Sequence, residues 1–183
     1  MQYRLTDFIL MIEQVILVNE NDKPIGQMEK MQAHREGKLH RAFSVFIFNS
    51  ENELLLQQRA LSKYHSGGLW TNTCCSHPRM GESNEAAANR RLKEEMGMSC
   101  DLTYGFNFIY KAEFSDGLIE HELDHVFFGN SDQLPEINKE EVESYKYMNL
   151  KTLKEDTEQN PQFYTPWLKI CLERVIDSQN LIK

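Results

Sequence analysis

This chain has little from which to build a disulfide framework, a membrane span or a basic surface. Its 183 residues include four cysteines, Cys74, Cys75, Cys100 and Cys171. Two of these are adjacent, and adjacent cysteines rarely bridge each other, so free thiols in a reducing cytoplasm are expected. No apolar run approaches the ~20 residues that a membrane-crossing helix needs. The apolar stretch 8–12 is flanked by Asp7 and Glu13 and lacks the basic region and cleavage site of a secretory signal. Lysine and arginine total 20 against 28 aspartates and glutamates, a formal net charge of −8. That balance argues against nucleic acid and anionic membranes as partners, because both attract basic surfaces. There is also no internal repeat, low-complexity tract or interdomain linker. What remains is 40% apolar and 26% charged, the composition of a globular protein. Residues 1–183 read as one domain, with 1–13 as an N-terminal extension, long enough for a single core without staples.

Residues 15–19 read as a strand, followed by a turn at Asn21-Asp22. Residues 42–48 and 53–58 read as a hairpin across the turn 49–52. A loop is expected from there to residue 83. Ser83 is a candidate N-cap, with Glu85 in the first helical turn, and the helix runs to about Met96, where Gly97 stops it. Two long strands, 103–114 and 119–128, flank Ser115-Asp116-Gly117, and 145–149 is a short strand. Residues 150–156 and 166–178 read as helices, the second with Pro166 in its first turn. Strands and helices mixed without a βαβ rhythm predict an α+β or three-layer α/β domain.

The run Thr71-Asn72-Thr73-Cys74-Cys75-Ser76-His77-Pro78 is hard to explain as core packing. It sets a candidate proton-transfer thiol two residues from a candidate metal ligand. If the segment is extended, neighbouring side chains point to opposite sides, so only one of the two thiols faces a given pocket. His34, His40 and His77 are three further-spaced imidazoles. Glu120, Glu122 and Asp124 alternate along a strand and share one face, while His121 and His125 share the other. Paired carboxylates on one face repel unless a cation or proton lies between them. Three imidazoles with two carboxylates would suit zinc, manganese or a related divalent ion. Scattered surface histidines and a solvated acidic strand would produce the same pattern. Likewise, Arg90–Glu94 and Arg91–Glu95 are i,i+4 pairs that stabilise any exposed helix by ~0.2–0.5 kcal/mol each, and Glu95 is alternatively an inward-facing metal ligand.

The spacing Glu82-x7-Arg90-Arg91-Leu92-x-Glu94-Glu95-x-Gly97-Met98 resembles the Nudix box, whose glutamates hold divalent ions against a diphosphate. Ser76 stands where the box usually opens with glycine, and Arg91 where it usually has a metal-binding glutamate. That departure weighs against diphosphate hydrolysis. With the thiol run before it and Glu120-His121-Glu122 after it, the chain resembles the type I isopentenyl-diphosphate isomerases over roughly residues 14–175.

The resemblance implies a Nudix-like three-layer α/β/α sandwich with a mixed sheet, and interconversion of isopentenyl and dimethylallyl diphosphates. It implies Cys75 and Glu122 as the catalytic pair with Tyr110 beside the glutamate. It implies His34, His40, His77, Glu120 and Glu122 as ligands of a Mn2+ or Zn2+ ion, and Glu95 as ligand of a diphosphate-bound Mg2+ ion. Lys30, Arg59, Lys63 and Arg91 fall on the diphosphate side, and Trp167 lines the hydrocarbon pocket. The expected partner is the small-molecule substrate, with the protein a monomer or weak dimer. Two rival readings stand beside this one: a Nudix hydrolase of diphosphate compounds, and a noncatalytic metal-binding module closed by Cys75 and His77.

Overall fold

A computed structural model describes residues 13–181; the apolar stretch 8–12 lies outside the described residues. Nine strands form one mixed sheet, in chain order β1 (Gln14–Val18), β2 (Pro24–Glu29), β3 (His40–Phe48), β4 (Glu53–Arg59), β5 (Trp70–Thr71), β6 (Cys74–Ser76), β7 (Leu102–Glu113), β8 (Ile119–Asn130) and β9 (Val142–Asn149). Among the described residues four α-helices accompany them: α1 (Lys30–Glu36), α2 (Asn84–Met96), α3 (Leu150–Gln159) and α4 (Pro166–Leu181).

Strand β3 is the centre of the sheet. It is buried almost throughout, as a strand covered on both faces must be. Alternation along it sorts the core into two layers. Phe43, Val45 and Ile47 pack with Leu55, Cys74 and the α2 residues Ala87, Ala88, Leu92 and Met96. Phe46 and Phe48 pack with Leu54, Leu56, Val126, Phe128, Leu153 of α3 and Leu168, Cys171, Leu172 and Val175 of α4. The sheet is therefore sandwiched between α2 and the α3–α4 pair. Helix α2 begins and ends as its sequence predicts: Ser83 Oγ accepts from the Ala86 N–H at 3.1 Å, and Gly97 adopts φ 66°. A Cβ at Gly97 would lie 2.6 Å from the Glu136 carbonyl oxygen, so the stop also needs close approach.

The expected hairpin of β3 and β4 forms, but it is paired only at Phe48↔Leu54. Beyond that point the two strands diverge. Segment β6 enters the gap and pairs with β3 through Phe43↔Ser76, Ser44↔Cys75 and Val45↔Cys74, while β5 pairs with β4. The segment expected to be a loop up to residue 83 thus contains two short strands. Thr71, Asn72 and Thr73 are fully buried and act as polar braces where the hairpin opens. The Asn72 amide donates to the Val45 and Cys74 carbonyls at 3.2 and 2.8 Å. Thr73 Oγ1 donates to the Leu55 carbonyl at 2.6 Å and accepts from the Ile47 N–H at 2.9 Å. These bonds satisfy backbone groups that the diverging strands would otherwise leave buried and unpaired. Strand β2 and helix α1 were not anticipated from sequence. Helix α1 is only seven residues long, too short to show a hydrophobic period, and Glu29 caps it through the Met31 and Gln32 N–H groups.

Candidate active site

A cavity of about 870 Å³ opens where β3, β6 and β8 meet the loop after β4 and the start of α4. Sheet register builds its floor. Strand β8 runs parallel to β3 and sets Glu122 beside His40. On its other edge, antiparallel β7 sets Tyr110 beside Glu122. Tyr110, Glu122 and His40 are therefore neighbours across three strands, although far apart in sequence. Strand β6 lies on the opposite edge of β3 from β8, because residues 43–45 pair with both. Cys75 and Glu122 thus flank β3 from its two sides, and both line the cavity. Cys74, one residue away, is fully buried in the α2 layer, so the alternation rule separates the two thiols as expected. Burial pushes the Cys75 thiol up to about 12.

Glu120, Glu122 and Asp124 are buried on the same face. The Tyr110 hydroxyl lies 2.6 Å from Glu122 Oε2 and 3.0 Å from Glu120 Oε2. A phenol has one hydrogen, so in the ion-free site it donates to one carboxylate and the other must bring its own proton. The environments agree. Burial, and then the Glu122 charge, push the Glu120 carboxyl well above its ordinary value. Burial alone would raise Glu122 as well, but the imidazoles of His40, at 3.4 Å, and His77, hydrogen-bonded at 3.0 Å, hold it well below the carboxylate range.

The imidazoles test whether this pocket fits a divalent ion. His34 Nδ1 lies 2.7 Å from the Lys30 carbonyl oxygen, and His40 Nδ1 lies 2.8 Å from that of Lys38. A carbonyl only accepts, so each Nδ1 carries the proton and each neutral ring keeps its lone pair on Nε2. Both Nε2 atoms are buried without a hydrogen-bond partner. They face Glu122, whose Oε1 is 3.0 Å from His77 Nε2 and 3.4 Å from His40 Nε2. One ligand atom each from His34, His40, His77 and Glu122 lie within 4.8 Å of one another. Unshared nitrogen lone pairs aimed at a carboxylate are a ligand set for a borderline divalent cation. Burial pushes the His34 imidazole down to about 3, which keeps the lone pair available.

At the other end of the cavity, α2 contributes Glu95, which is buried. Its Oε1 accepts from Arg91 Nη2 and Nε at 2.6 and 3.1 Å, and its Oε2 accepts from the Gln57 amide at 2.9 Å. A carboxylate offers about four lone-pair directions, so one on Oε2 is left for a cation. Of the basic residues, Arg59 is the most telling. It is buried, its Nε has no partner, and among the described residues no carboxylate lies within ion-pair distance of it. A buried unpaired guanidinium is costly unless an anion meets it. Arg59 also lies 5.3 Å from the ring centre of Trp167, a buried wall of the cavity. Lys63 pairs with Glu141. Lys30 pairs with Glu13 at 2.9 Å and lies over the Tyr64 ring.

All thirteen sequence-predicted site residues are thereby accounted for: Lys30, Arg59, Lys63, Cys75, His77, Arg91, Glu95, Tyr110, Glu120, Glu122 and Trp167 line the cavity, and His34 and His40 stand beneath it in the ligand group. His121 and His125 stay outside. Sequence reasoning missed Glu13, Gln57, Tyr64, His65 and Glu141, which also line the cavity. The signal available for His65 was its place just before Gly67-Gly68, a turn that returns the chain to the thiol run.

A mixed sheet between helices, with a Glu-rich helix facing a buried metal-ligand group, defines the Nudix class. The sequence pattern of the NUDIX domain matches residues 38–168. The fold is shared with DR0079 from Deinococcus radiodurans, at a TM-score of 0.75 and 21% identity over 88% of this chain and 98% of that one. Closer relatives narrow the class. The isopentenyl-diphosphate Delta-isomerase 2 of Aromatoleum aromaticum is 53% identical over 93% of this chain and 90% of its own length. The isopentenyl-diphosphate Delta-isomerase of Pectobacterium atrosepticum is 52% identical over 91% of this chain and 93% of its own. The chain belongs to the isopentenyl-diphosphate Delta-isomerase family of NUDIX proteins.

Proposed function

We propose that this protein interconverts isopentenyl and dimethylallyl diphosphates, with Cys75 and Glu122 as its proton-transfer pair. The observation that carries the reading is the placement of these two groups on opposite edges of β3 in one cavity. Shifting the double bond requires a proton added at the terminal alkene carbon and another removed from the carbon nearer the diphosphate. No electrons are exchanged, so no redox cofactor is needed. A flat substrate lying over Ser44 would present one face toward each group. In one direction of the reaction one group gives its proton and the other takes one. Microscopic reversibility exchanges the roles in the other direction.

The intermediate is a tertiary carbocation, which water would trap. The buried face of Trp167 shields it and attracts it, an interaction worth ~2 kcal/mol or more when desolvated. Tyr110 holds the reacting carboxylate through its 2.6 Å contact with Glu122 Oε2. Arg59, with its unpaired Nε, and Arg91 receive the diphosphate, while Lys30 and Lys63 must exchange their carboxylate partners for it. His34, His40, His77, Glu120 and Glu122 would hold a divalent ion, whose positive charge would keep Glu122 ionised, and Glu95 would hold the Mg2+ that comes with the diphosphate. An ion held by one carboxylate plus substrate phosphates is the usual arrangement for Mg2+.

The test is incubation of the purified protein with Mg2+ and isopentenyl diphosphate, following dimethylallyl diphosphate. Conversion that is lost in Cys75→Ala is expected. No conversion across a series of divalent ions, or release of phosphate in place of isomerisation, would overturn the reading.

A further inference from the structure

We propose that His65 is a ligand of the divalent centre, so that one ion is offered four imidazoles and two carboxylates. The inference rests on the reading that the His/Glu group holds a divalent ion. Two ligand groups are present among the described residues. One is His34, His40, His77 and Glu122; the other is His34, His65 and Glu120, again with ligand atoms within 4.8 Å of one another. His34 belongs to both. Its Nδ1 is held by the Lys30 carbonyl, so Nε2 is its only donor, and one lone pair serves one ion at a time. The two groups therefore describe a single ion approached from two sides. Together they supply six donor atoms, the number that an octahedral ion takes.

The geometry at His65 suits this role. Neighbouring corners of an octahedron with ~2.1 Å bonds lie ~3.0 Å apart. His65 Nε2 is 3.1 Å from Glu120 Oε1, matching the 3.0 Å between His77 Nε2 and Glu122 Oε1 on the other side. Despite that distance, His65 Nε2 makes no hydrogen bond, and the residue is 5% exposed. A buried nitrogen aimed at a carboxylate without sharing a proton is left unsatisfied by the protein alone. Its other nitrogen, Nδ1, has Ser66 Oγ at 3.3 Å as a partner; the hydroxyl can accept the Nδ1 proton, the tautomer that frees the Nε2 lone pair for an ion.

The ring is also held in place before any ion arrives. It stacks on Phe114 with centroids 4.6 Å apart and planes 21° apart, and it meets the edge of Tyr64 at 4.3 Å. The Arg59 guanidinium donates to the His65 carbonyl at 3.3 Å. The loop carrying it turns through Ser66 at φ 53° and Gly68 at φ 79°. Ser66 pays for a backbone conformation that side chains rarely adopt, at the one place where doing so delivers an imidazole to the cavity.

The experiment uses the full chain, stripped by chelation and reloaded with Zn2+. X-ray absorption counts the imidazoles on the ion, and chelator competition measures affinity. His65→Phe keeps the aromatic stack on Phe114 and removes both nitrogens. Four imidazoles in the parent and three in the variant are expected, with affinity falling by more than the ~10–100-fold that loss of an outer supporting group costs. If the phenylalanine variant does not fold, His65→Gln, which also removes the imidazole but keeps a polar side chain, provides the same count. An imidazole count unchanged by substitution overturns the assignment and leaves the metal reading standing. A parent protein that binds no ion overturns both.

Discussion

The two ends of the cavity hold their carboxylates by opposite means. At the helix end, Glu95 is met by Arg91 one helical turn earlier on the same face, and by Gln57 from β4. The positive charge is part of the chain. At the strand end, Glu120 and Glu122 have no lysine or arginine within ion-pair distance among the described residues; only imidazoles and Tyr110 reach them. There the nitrogens of His34, His40 and His65 remain buried and unpartnered. A built-in cation closes its own electrostatics, whereas a borrowed one leaves a deficit of positive charge and a surplus of lone pairs. The helix end balances its carboxylate charge as folded, and the strand end does so only when an ion binds.

That contrast can be broken in several ways. The largest effect is expected at Cys75, which lies between the two ends and belongs to neither. Cys75→Ala should lower turnover by ~10²–10⁴-fold, the usual worth of a positioned acid or base, with bound metal and melting temperature unchanged. Loss of the metal along with activity would return Cys75 to the ligand set. Next, Zn2+ at one hundred times its Kd should stabilise the stripped protein by ~2.7 kcal/mol, read as a rise in melting temperature. His34→Phe should remove that rise, while Glu95→Gln should leave it.

The stripped protein should also lose stability in acid. His34 and His65 are both held down to about 3 by burial, His65 with help from the Arg59 charge. Groups depressed in the folded state contribute stability above the ordinary imidazole value of 6.5, and it is lost as pH falls toward about 3. His40 shifts the other way, raised by Glu122 against the effect of burial, as do the Glu120 and Asp124 carboxyls, raised by burial, and these offset part of the loss. Melting temperatures between pH 7 and pH 5 check the sign, and a rise on acidification would refute it. Tyr110→Phe follows, costing ~1.5–3 kcal/mol as a hydrogen bond to a charged group is lost, measured by urea unfolding. The smallest effect belongs to Cys74→Ala, about 1 kcal/mol of stability with turnover unchanged, because its thiol lies in the α2 layer.

Some of this was legible before folding. The α2 boundaries could be read from Ser83 and Gly97, because capping is a local preference of single residues. That only one of Cys74 and Cys75 faces a given pocket followed from the two-residue period of an extended chain, and the family resemblance picked Cys75. The common face of Glu120, Glu122 and Asp124 followed from the same period. The divergence of β3 and β4 was not legible, and neither was the structural half of the thiol run. Thr71, Asn72 and Thr73 belong to a run that is hard to explain as core packing, yet all three are fully buried, and the bonds of Asn72 and Thr73 go to Val45, Ile47 and Leu55. Such partners are set by which strands lie alongside, and a polar residue in a sequence does not announce what it will be buried against.

What the sequence by itself determined is the inventory and its local geometry: the thiol that faces away from its neighbour, the capped helix with Glu95, the carboxylates on one strand face, and the family to which their order belongs. Only the tertiary structure decided that His40 stands beside Glu122, that Tyr110 spans both glutamates, and that His65 joins them. Those contacts come from the parallel register of β3 with β8, the antiparallel register of β7 with β8, and a strained loop between β4 and β5. Register and loop path are settled by the packing of the whole sheet, which no short stretch of chain contains.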